Sequence, residues 1–342
     1  MRNVNVEIGH FRWLSEHKAD LNIASSGMIP VSMSDIEQLG KPTDIMEVLG
    51  SIYNVPTRAI ALTHGTQEGN FAALSAIRGE VDQVVTVVPE YEPIRVLPSF
   101  LGLRQVEVNI GGGLGELINY IKPRTALLFS NPNNPLGVYL SRGEVRDIVD
   151  EARRRGSYLI IDSIFLEFVM DDLRGLPLEN TVYTFSTSKF YTIDSFKVGW
   201  VIGDEQLIQR IINVINLVSP LVMGLEASYA SIVLQNRDWF RRRNLSIITP
   251  NREYLMSISE SLGGLIKVSY FNHMPIAYIT TKCNVSSLEL ANELLSKGVL
   301  TVPGYYFGIS NGVRVGLGSV NHDVFTKALN IVASVIRGMC TR

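Results

Sequence analysis

The chain has 342 residues, of which 46% are hydrophobic and 19% are charged, and its net charge is −2. This composition predicts a folded protein of one or two domains with a large core, and it excludes general disorder. The balanced charge argues against a protein that binds nucleic acid, because such proteins carry a surplus of Lys and Arg.

Strand-like and helix-like segments alternate from about residue 58 to residue 203. The strands are apolar, β-branched runs, and Phe71, Leu74 and Ile77 have the spacing of one helix face. Near-continuous apolar strands that alternate with helices predict a mostly parallel sheet covered by helices on both faces. The predicted strands are residues 58–63, 83–88, 125–130, 157–162, 181–186 and 198–203.

The pattern changes after Leu225, where a long helical stretch runs to about residue 260 with Pro250 as a candidate break. Shorter elements follow, and together they predict a smaller α+β domain. We expect strands at 276–280 and 312–317, and helices at 288–297 and from Asp323 to the end. We expect a large domain at residues 40–240 and a small domain formed by residues 1–39 and 241–342.

The two cysteines, Cys283 and Cys340, belong to no CxxC motif, so we expect neither a disulfide framework nor a metal site. Residues 1–13 lack the apolar core of a signal peptide. The most apolar long segment, residues 207–225, contains an arginine, two asparagines and a proline, which argues against a membrane span. We therefore expect a soluble cytoplasmic protein that binds neither membranes nor nucleic acid.

Polar side chains follow the ends of successive strands, and ligands bind at the carboxyl ends of the strands in a parallel sheet. After the first strand, residues 64–69 (HGTQEG) form a glycine turn that opens a helix. Free N–H groups and the helix dipole make such a turn suitable for a phosphate, although it also suits a simple helix start. His64 is a lone histidine, for which a structural role is the commoner one.

The next strand ends carry an aromatic ring, an oriented amide, a carboxylate and a lysine. Tyr91 follows the second strand, Asn134 lies between two prolines in a loop that we expect to be extended and rigid, and Asp162 ends an apolar strand. Lys189 follows in the STSKF sequence. Each residue alone also fits core packing, a turn, a helix cap or a solvated surface.

Taken together, these groups suit one kind of ligand: a heteroaromatic ring that bears a phosphate and an aldehyde. The ring would stack on Tyr91, its nitrogen would pair with Asp162 and its phenolic oxygen would meet Asn134. The aldehyde would form a Schiff base with Lys189, and the phosphate would lie at residues 65–67 and Ser186.

The order of these motifs resembles that of the fold-type I pyridoxal-phosphate enzymes, specifically the class I/II aminotransferases of the aspartate and histidinol-phosphate type. The match runs from about residue 20 to the end of the chain. It rests on THGTQEG, the tyrosine of PEYEP, NPNNPLG, the aspartate of IIDSIF, STSKF followed by KVGW, and VRVGLG. The resemblance implies an α/β fold of PLP-dependent transferase type I, with a mostly parallel central sheet between helices and a smaller α+β domain.

The resemblance also implies a role for each matched residue. Lys189 would be the catalytic residue that binds pyridoxal 5'-phosphate (PLP) and moves the substrate Cα proton, and Arg314 would pair with the substrate α-carboxylate through its planar guanidinium. The implied cofactor-binding residues are Gly65, Thr66, Gln67, Tyr91, Asn134, Asp162, Ser186, Lys189 and Lys197. The implied substrate-binding residues are Arg314, Asn134 and Gly27.

Three positions depart from the family pattern. Phe165 stands where the family commonly has a tyrosine whose hydroxyl meets the cofactor O3', and Lys197 stands where it commonly has an arginine. Residues 38–43 contain no tyrosine that would reach the cofactor phosphate of a partner subunit. These departures weigh more against ordinary transamination than against cofactor binding.

The leading hypothesis is a PLP-dependent aminotransferase that moves an amino group between an amino acid and a 2-keto acid, as a homodimer. A PLP-dependent lyase or decarboxylase on the same fold is the enzymatic alternative. A non-catalytic binding protein of aminotransferase fold would suit Phe165, but the presence of Lys189 and Asp162 argues against it. The aromatic residues 305–307 and the lack of a second well-placed arginine disfavour strict specificity for aspartate.

Overall fold

A computed structural model describes residues 6–111, 113–194, 196–220 and 224–340. The helices are α1 (Gly9–Glu16), α2 (Met33–Leu39), α3 (Ile45–Tyr53), α4 (Thr66–Ile77), α5 (Glu92–Phe100), α6 (Arg142–Arg155), α7 (Leu166–Val169), α8 (Glu205–Val218), α9 (Gly224–Gln235), α10 (Arg237–Ser261), α11 (Ser287–Ser296) and α12 (His322–Cys340). The strands are β1 (Leu21–Asn22), β2 (Ile60–Thr63), β3 (Gln83–Val88), β4 (Arg104–Asn109), β5 (Thr125–Ser130), β6 (Tyr158–Asp162), β7 (Thr181–Ser186), β8 (Gly199–Gly203), β9 (Ile266–Ser269), β10 (Ile276–Thr281), β11 (Val299–Leu300), β12 (Val302–Pro303) and β13 (Val313–Gly316).

A seven-stranded central sheet has the strand order β2-β8-β7-β6-β5-β3-β4. Its pairs are parallel except those of β8, which runs antiparallel to both β2 and β7. All six residues of β5 and of β7 are buried, as the unbroken apolar runs predicted. The predicted α/β fold with a mostly parallel sheet is confirmed.

Helices cover both faces of this sheet. On one face, Leu74 of α4 and Ile208 of α8 belong to a buried cluster with Val182 and Val201 of the sheet. On the other face, Ile148 of α6 belongs to a second cluster that includes alternate residues of the same strands. The sheet is therefore buried on both sides, and its carboxyl edge remains available for a site.

The rest of the chain forms two smaller sheets. One has the order β12-β13-β10-β9, and in the other β1 from the N-terminal segment pairs in parallel with β11, with Leu21 opposite Val299. This pairing supports our proposal that residues 1–39 and 241–342 form one domain. Helix α10 crosses the proposed boundary and continues through Pro250, so the expected break there was wrong.

A disulfide joins Cys283, in the loop after β10, to Cys340 at the end of α12. The isolated cysteines of the sequence predicted no disulfide framework and did not indicate this single bond. The two cysteines are 57 positions apart in the sequence, so no local pattern indicates the contact, which exists only because a loop and the last helix meet in the fold. Within the described ranges, no helix is long and apolar enough to cross a membrane.

Candidate active site

A cavity of about 600 Å³ lies at the carboxyl ends of the central strands. Ten of the residues predicted from the sequence line it together: Gly65, Thr66, Gln67, Tyr91, Asn134, Asp162, Ser186, Lys189, Lys197 and Arg314. The eleventh, Gly27, follows the lining residues Ser25 and Ser26, and its N–H donates to Ser25 Oγ at 3.1 Å. The structure therefore brings ten of the eleven residues to one cavity and places Gly27 next to its lining, while their individual roles remain predictions.

The turn between β2 and α4 forms one end of the cavity. Gly65 has φ of 102°, and its backbone conformation directs the chain into the first turn of α4. A Cβ added at Gly199 of β8 would lie 2.5 Å from the Gly65 Cα, so both positions require glycine for this close approach. The N–H groups at the start of α4, together with Lys197 and Ser186, suit an anion such as a phosphate.

Asp162 ends β6 and is only 3% exposed. Its Oδ2 accepts a hydrogen bond from Asn70 Nδ2 at 2.8 Å, and its Oδ1 accepts one from the Ile164 N–H at 3.1 Å. Burial raises the pKa of Asp162 to about 6, against the opposite effect of these hydrogen bonds and one from Thr66. The carboxylate is therefore mostly ionised at neutral pH and presents a buried negative charge to the cavity.

Asn70 was not predicted from the sequence. It is buried in α4, and its Oδ1 accepts a hydrogen bond from Thr184 Oγ1 at 2.8 Å, which fixes the orientation of the amide toward Asp162. The available signal was a polar residue four positions after Thr66, directly before the apolar run of residues 71–74.

The loop after β5 is a compact turn, so the expectation of an extended loop was wrong. The Asn133 N–H donates to the Val138 carbonyl at 2.7 Å, and the Gly137 N–H donates to the Asn133 carbonyl at 2.8 Å. Gly137 permits this closure because its φ is 72°. The turn directs Asn134 into the cavity, where its Oδ1 accepts a hydrogen bond from Arg314 Nη1 at 3.2 Å.

Glu90 supports this loop and was also missed, although it precedes Tyr91 directly. It is completely buried and accepts hydrogen bonds from the Ser130 N–H at 2.7 Å and from Ser130 Oγ at 2.6 Å. Burial raises the pKa of Glu90 to about 8, although these hydrogen bonds act in the opposite direction. Ser130 Oγ in turn accepts from the Asn134 N–H at 3.0 Å, so Glu90 holds Asn134 indirectly.

Lys189 follows β7 and faces the same cavity as Asp162 and Arg314. Burial lowers the pKa of its amine; Asp194 raises it, and the positive charges of Arg314 and Lys197 lower it further. A lowered pKa increases the fraction of neutral amine, which is the form that attacks a carbonyl or accepts a proton.

Arg314 lies in β13 and is 1% exposed. Its Nη2 donates to the Ala24 carbonyl at 2.7 Å, and its guanidinium lies 5.2 Å from the centroid of the Phe307 ring. Its Nε has no hydrogen-bond partner among the described residues. Burial lowers the pKa of Arg314 to about 10, which leaves it charged at neutral pH and able to bind a carboxylate.

Of the three departures from the family pattern, Phe165 and Lys197 line the cavity, and residues 38–43 are not among its lining residues. Phe165 lines the cavity and is 1% exposed, so its ring presents no hydroxyl there. Lys197 lines the same cavity beside Gly65, and a Cβ on that glycine would lie 3.0 Å from Lys197 Cδ. Residues 38–43 lie at the end of α2 and in the loop that follows, largely exposed.

His64 lines the mouth of the cavity, where Glu68 orients it. The Glu68 carboxylate accepts a hydrogen bond from the His64 backbone N–H at 2.5 Å, and the ring Nδ1 lies 3.0 Å from the same oxygen. In the part of the chain that the structure describes, no group of three or more His, Cys, Asp or Glu residues could hold a metal ion.

Comparison with known proteins identifies the same family as the motifs. The family model described as aminotransferase class I and II matches residues 43–332. A histidinol-phosphate aminotransferase of Pelagibacter ubique is 27% identical over 258 residues, which cover 70% of this chain and 68% of that protein. A histidinol-phosphate aminotransferase 2 of Legionella pneumophila (strain Paris) is 26% identical over 224 residues, which cover 62% of this chain and only 56% of that protein.

The fold has close counterparts among solved structures. The crystal structure of a PLP-dependent aminotransferase from Streptococcus suis 89-1591 has a TM-score of 0.87 and 20% identity, and the alignment covers 97% of this chain and 98% of the other. At this level of identity the likeness concerns the fold, and it confirms the predicted fold class. The family match confirms the resemblance inferred from the motifs.

Proposed function

We propose, since the chain belongs to the aminotransferase class I and II family, that it is a PLP-dependent enzyme that moves an amino group from an amino acid to a 2-keto acid. One observation carries this proposal: Lys189, Asp162 and Arg314 line a single cavity beside a glycine turn at a helix N-terminus. Those four features supply an amine, a carboxylate, a carboxylate-binding cation and an anion site in one place.

The residues of the cavity fit PLP, the cofactor of this family. The buried carboxylate of Asp162 is held by Asn70 and suits the ring nitrogen, Asn134 suits the ring oxygen, and the start of α4 with Lys197 suits the phosphate. When bound, PLP supplies a ring that withdraws electrons and stabilises negative charge at the substrate Cα.

Arg314 would bind and orient the amino acid. Two of its nitrogens are held by Asn134 and by the Ala24 carbonyl, so the guanidinium has a fixed position before a substrate arrives. Its Nε has no partner among the described residues, so the guanidinium keeps an unused donor, and its charge suits the substrate α-carboxylate. A preorganised cation of this kind lowers the entropic cost of binding.

Lys189 would move the proton. Its side chain lines the cavity, and burial together with the charges of Arg314 and Lys197 lowers its pKa. The neutral form of the amine would accept the proton from the substrate Cα and return it later in the reaction.

We also propose that the enzyme is a homodimer with the site near the subunit interface. Leu217 and Leu225 are apolar side chains that are 88% and 58% exposed, and Val218 between them is 62% exposed. Ser219, which follows Val218, has its Oγ 3.5 Å from His64 Nδ1 at the cavity mouth. A partner subunit that covered these side chains would therefore also border the cavity. The cytoplasmic location expected from the sequence stays a proposal, which cell fractionation would test.

The direct test is product analysis. The purified protein with PLP, a panel of amino acids and 2-oxoglutarate should form glutamate and the matching 2-keto acid, and a Lys189→Ala variant should form neither. Carbon dioxide, ammonia or an amine as the main product would instead favour a lyase or decarboxylase. No product from any donor would contradict the proposed activity.

A further inference from the structure

One histidine in the cavity has no role in the proposed reaction. His10 lies in α1, is 3% exposed and lines the cavity with Lys189 and Arg314. Its Nδ1 has no hydrogen-bond partner among the described residues. A buried polar atom without a partner is costly, so a ligand group that bonds to this ring would remove that cost.

The imidazole is held in one position by its surroundings. The ring of Tyr91 is 5.4 Å away and that of Phe307 is 5.5 Å away, both in edge contact. The backbone N–H of His10 donates to Glu92 Oε2 at 2.6 Å. A Cβ on Gly9 would lie 2.7 Å from Tyr306 Cε1, so α1 packs directly against this aromatic residue. The ring is therefore preorganised rather than free to turn toward water.

The imidazole is also neutral. Burial lowers the pKa of His10 to about 3, and the positive charges of Arg314 and Lys189 act in the same direction. A neutral imidazole offers one donor and one acceptor, which suits an uncharged polar group better than an anion.

His10 belongs to a wall of the cavity that the N-terminal segment forms. The other members of this wall are Phe11, Leu14, Asn22, Ser25 and Ser26, none of which carries a charge. The wall adjoins the proposed carboxylate site, because Arg314 Nη2 donates to the carbonyl of Ala24 in the same segment at 2.7 Å. A substrate whose α-carboxylate binds Arg314 therefore has its side chain close to this wall.

We propose that His10 recognises the side chain of the amino donor, and that this side chain is uncharged and carries a hydrogen-bonding group such as a hydroxyl, an amide or an imidazole. The inference rests on the proposed function, since it takes Arg314 as the site of the α-carboxylate. A carboxylate or phosphate on the side chain would meet no cation on this wall.

The test compares matched donors in the wild-type protein and in a His10→Phe variant. Tyrosine with phenylalanine and glutamine with methionine differ mainly in a hydrogen-bonding group. For at least one pair, kcat/KM should favour the polar donor by about ten- to a hundred-fold in the wild type, as expected for one hydrogen bond to a buried group. The variant should lose this preference, chiefly through KM for the polar donor, and His10→Gln should restore part of it.

A histidine outside the cavity provides the control. His17 lies just after α1, and its Nδ1 is 2.9 Å from the Trp13 carbonyl. His17→Gln should keep the wild-type preference. Because the anchor of α1 at Glu92 is a backbone bond, His10→Phe should leave it in place and leave the visible absorbance of the bound cofactor unchanged.

Three results would overturn the inference. One is an equal fall in kcat/KM for polar and apolar donors in the His10→Phe variant, which would indicate that His10 has a structural role or contacts the α-carboxylate. Another is a wild-type preference for aspartate over asparagine and for glutamate over glutamine. The third is an unchanged preference in the variant. If no donor reacted in either protein, the proposed function would fail as well, and that result is separate from all three.

Discussion

Asp162 has to meet two requirements that oppose each other. Its proposed pairing with a protonated ring nitrogen needs an ionised carboxylate, yet the residue is 3% exposed and burial raises its pKa to about 6. Hydrogen bonds from Asn70 and the Ile164 N–H offset part of the cost of burying the charge. The protein without cofactor therefore carries a destabilising charge at neutral pH, which the bound cofactor would neutralise.

Asp162→Asn should stabilise the protein without cofactor above pH 6. The pKa of Asp162 is higher in the folded state than its ordinary value of 3.8. The folded state therefore favours the protonated carboxyl. The stability that this preference contributes is fully present below pH ~4 and is lost as the pH rises through about 6. The variant cannot ionise, so its free energy of unfolding should exceed that of the wild type by about 1–3 kcal/mol at pH 7.5 and by less at pH 5.

Urea unfolding at the two pH values measures this difference. Asn70 can turn its amide to bond with the new amide at position 162, because Thr184 Oγ1 is able to donate or accept. The matched control is Asp20→Asn, which changes an exposed aspartate outside the cavity and should leave stability unchanged. A difference that did not grow between pH 5 and 7.5 would argue against a raised pKa at Asp162.

Phe165→Tyr should change the titration of the bound cofactor. The hydroxyl would be added to a buried ring that lines the cavity, where it could donate to the cofactor O3'. A donor at that oxygen stabilises the deprotonated form of the lysine–cofactor linkage, so the pH midpoint of the visible band should fall by roughly one unit. The control is Phe168→Tyr, whose ring is 6.2 Å from that of Phe165. An unshifted midpoint in Phe165→Tyr would show that its hydroxyl does not reach the cofactor.

The sequence predicted the site residues that follow the strands. It missed residues elsewhere in the chain that contact them or line the same cavity. Asp162 and Lys189 were predictable because they follow successive apolar strands, together with other polar residues, in the motif order of a known family. Asn70 and His10 gave no such signal, because their importance depends on contacts with residues far away in the chain. Asn70 contacts a residue 92 positions later, and no local pattern encodes that distance.

At the scale of elements, the packing of β8 against the β2–α4 turn shapes the anion site. A Cβ at Gly199 would lie 2.5 Å from Gly65 Cα and 2.5 Å from Thr63 Oγ1. The two elements approach so closely only because this strand position has no side chain.

Gly199→Ala should therefore destabilise the protein and weaken PLP binding. The added methyl group forces β8 and the turn apart, at a cost of about 1–3 kcal/mol in the free energy of unfolding. Urea unfolding and a fluorescence titration with PLP measure the two effects. Gly338→Ala is the control, because a Cβ there meets no atom within 4 Å and α12 should gain up to about 1 kcal/mol. If Gly199→Ala and Gly338→Ala had the same stability and the same affinity for PLP, the close contact between β8 and the β2–α4 turn would not shape the anion site.

The elements that the sequence predicted correctly are those whose burial is uniform. β3, β5 and β7 match the predicted bounds because both of their faces lie in the core. β4 was missed because it is an edge strand in which polar and apolar residues are mixed. The helix α10 passes through Pro250 because the buried residues Phe240, Ile248 and Leu255 hold both of its halves, which outweighs a proline cost of about 3 kcal/mol.

At the scale of the whole molecule, the N-terminal segment connects the smaller sheets to the site. β1 pairs with β11, and the carbonyl of Ala24 accepts a hydrogen bond from Arg314. From the sequence we assigned this segment to the small domain and expected Gly27 to bind substrate, but the pairing with β11 could not be predicted, because pairing between residues so far apart in the chain leaves no local periodicity. The same segment supplies His10, which explains why the proposed side-chain contact was not foreseen.

The proposed homodimer should depend on the exposed leucines near the cavity mouth. Leu217→Glu combined with Leu225→Glu would place two charges in an apolar interface, so the protein should sediment as a monomer at micromolar concentration and lose at least about tenfold in activity. Tyr120→Glu is the control, since this 38% exposed side chain precedes β5 at the end of the sheet opposite the cavity. A double variant that remained dimeric and active would exclude this surface as the interface.

The absorption spectrum of the protein with PLP, followed during additions of substrate, tests the central claim most directly. We predict a visible band that a Lys189→Ala variant lacks, that fades when an amino donor is added, and that returns when a 2-keto acid is added after removal of the donor. Fading and return in one sample require both halves of an amino transfer. A band that never forms, or one that fades with a donor and is not restored by any 2-keto acid, would contradict the assignment as an aminotransferase.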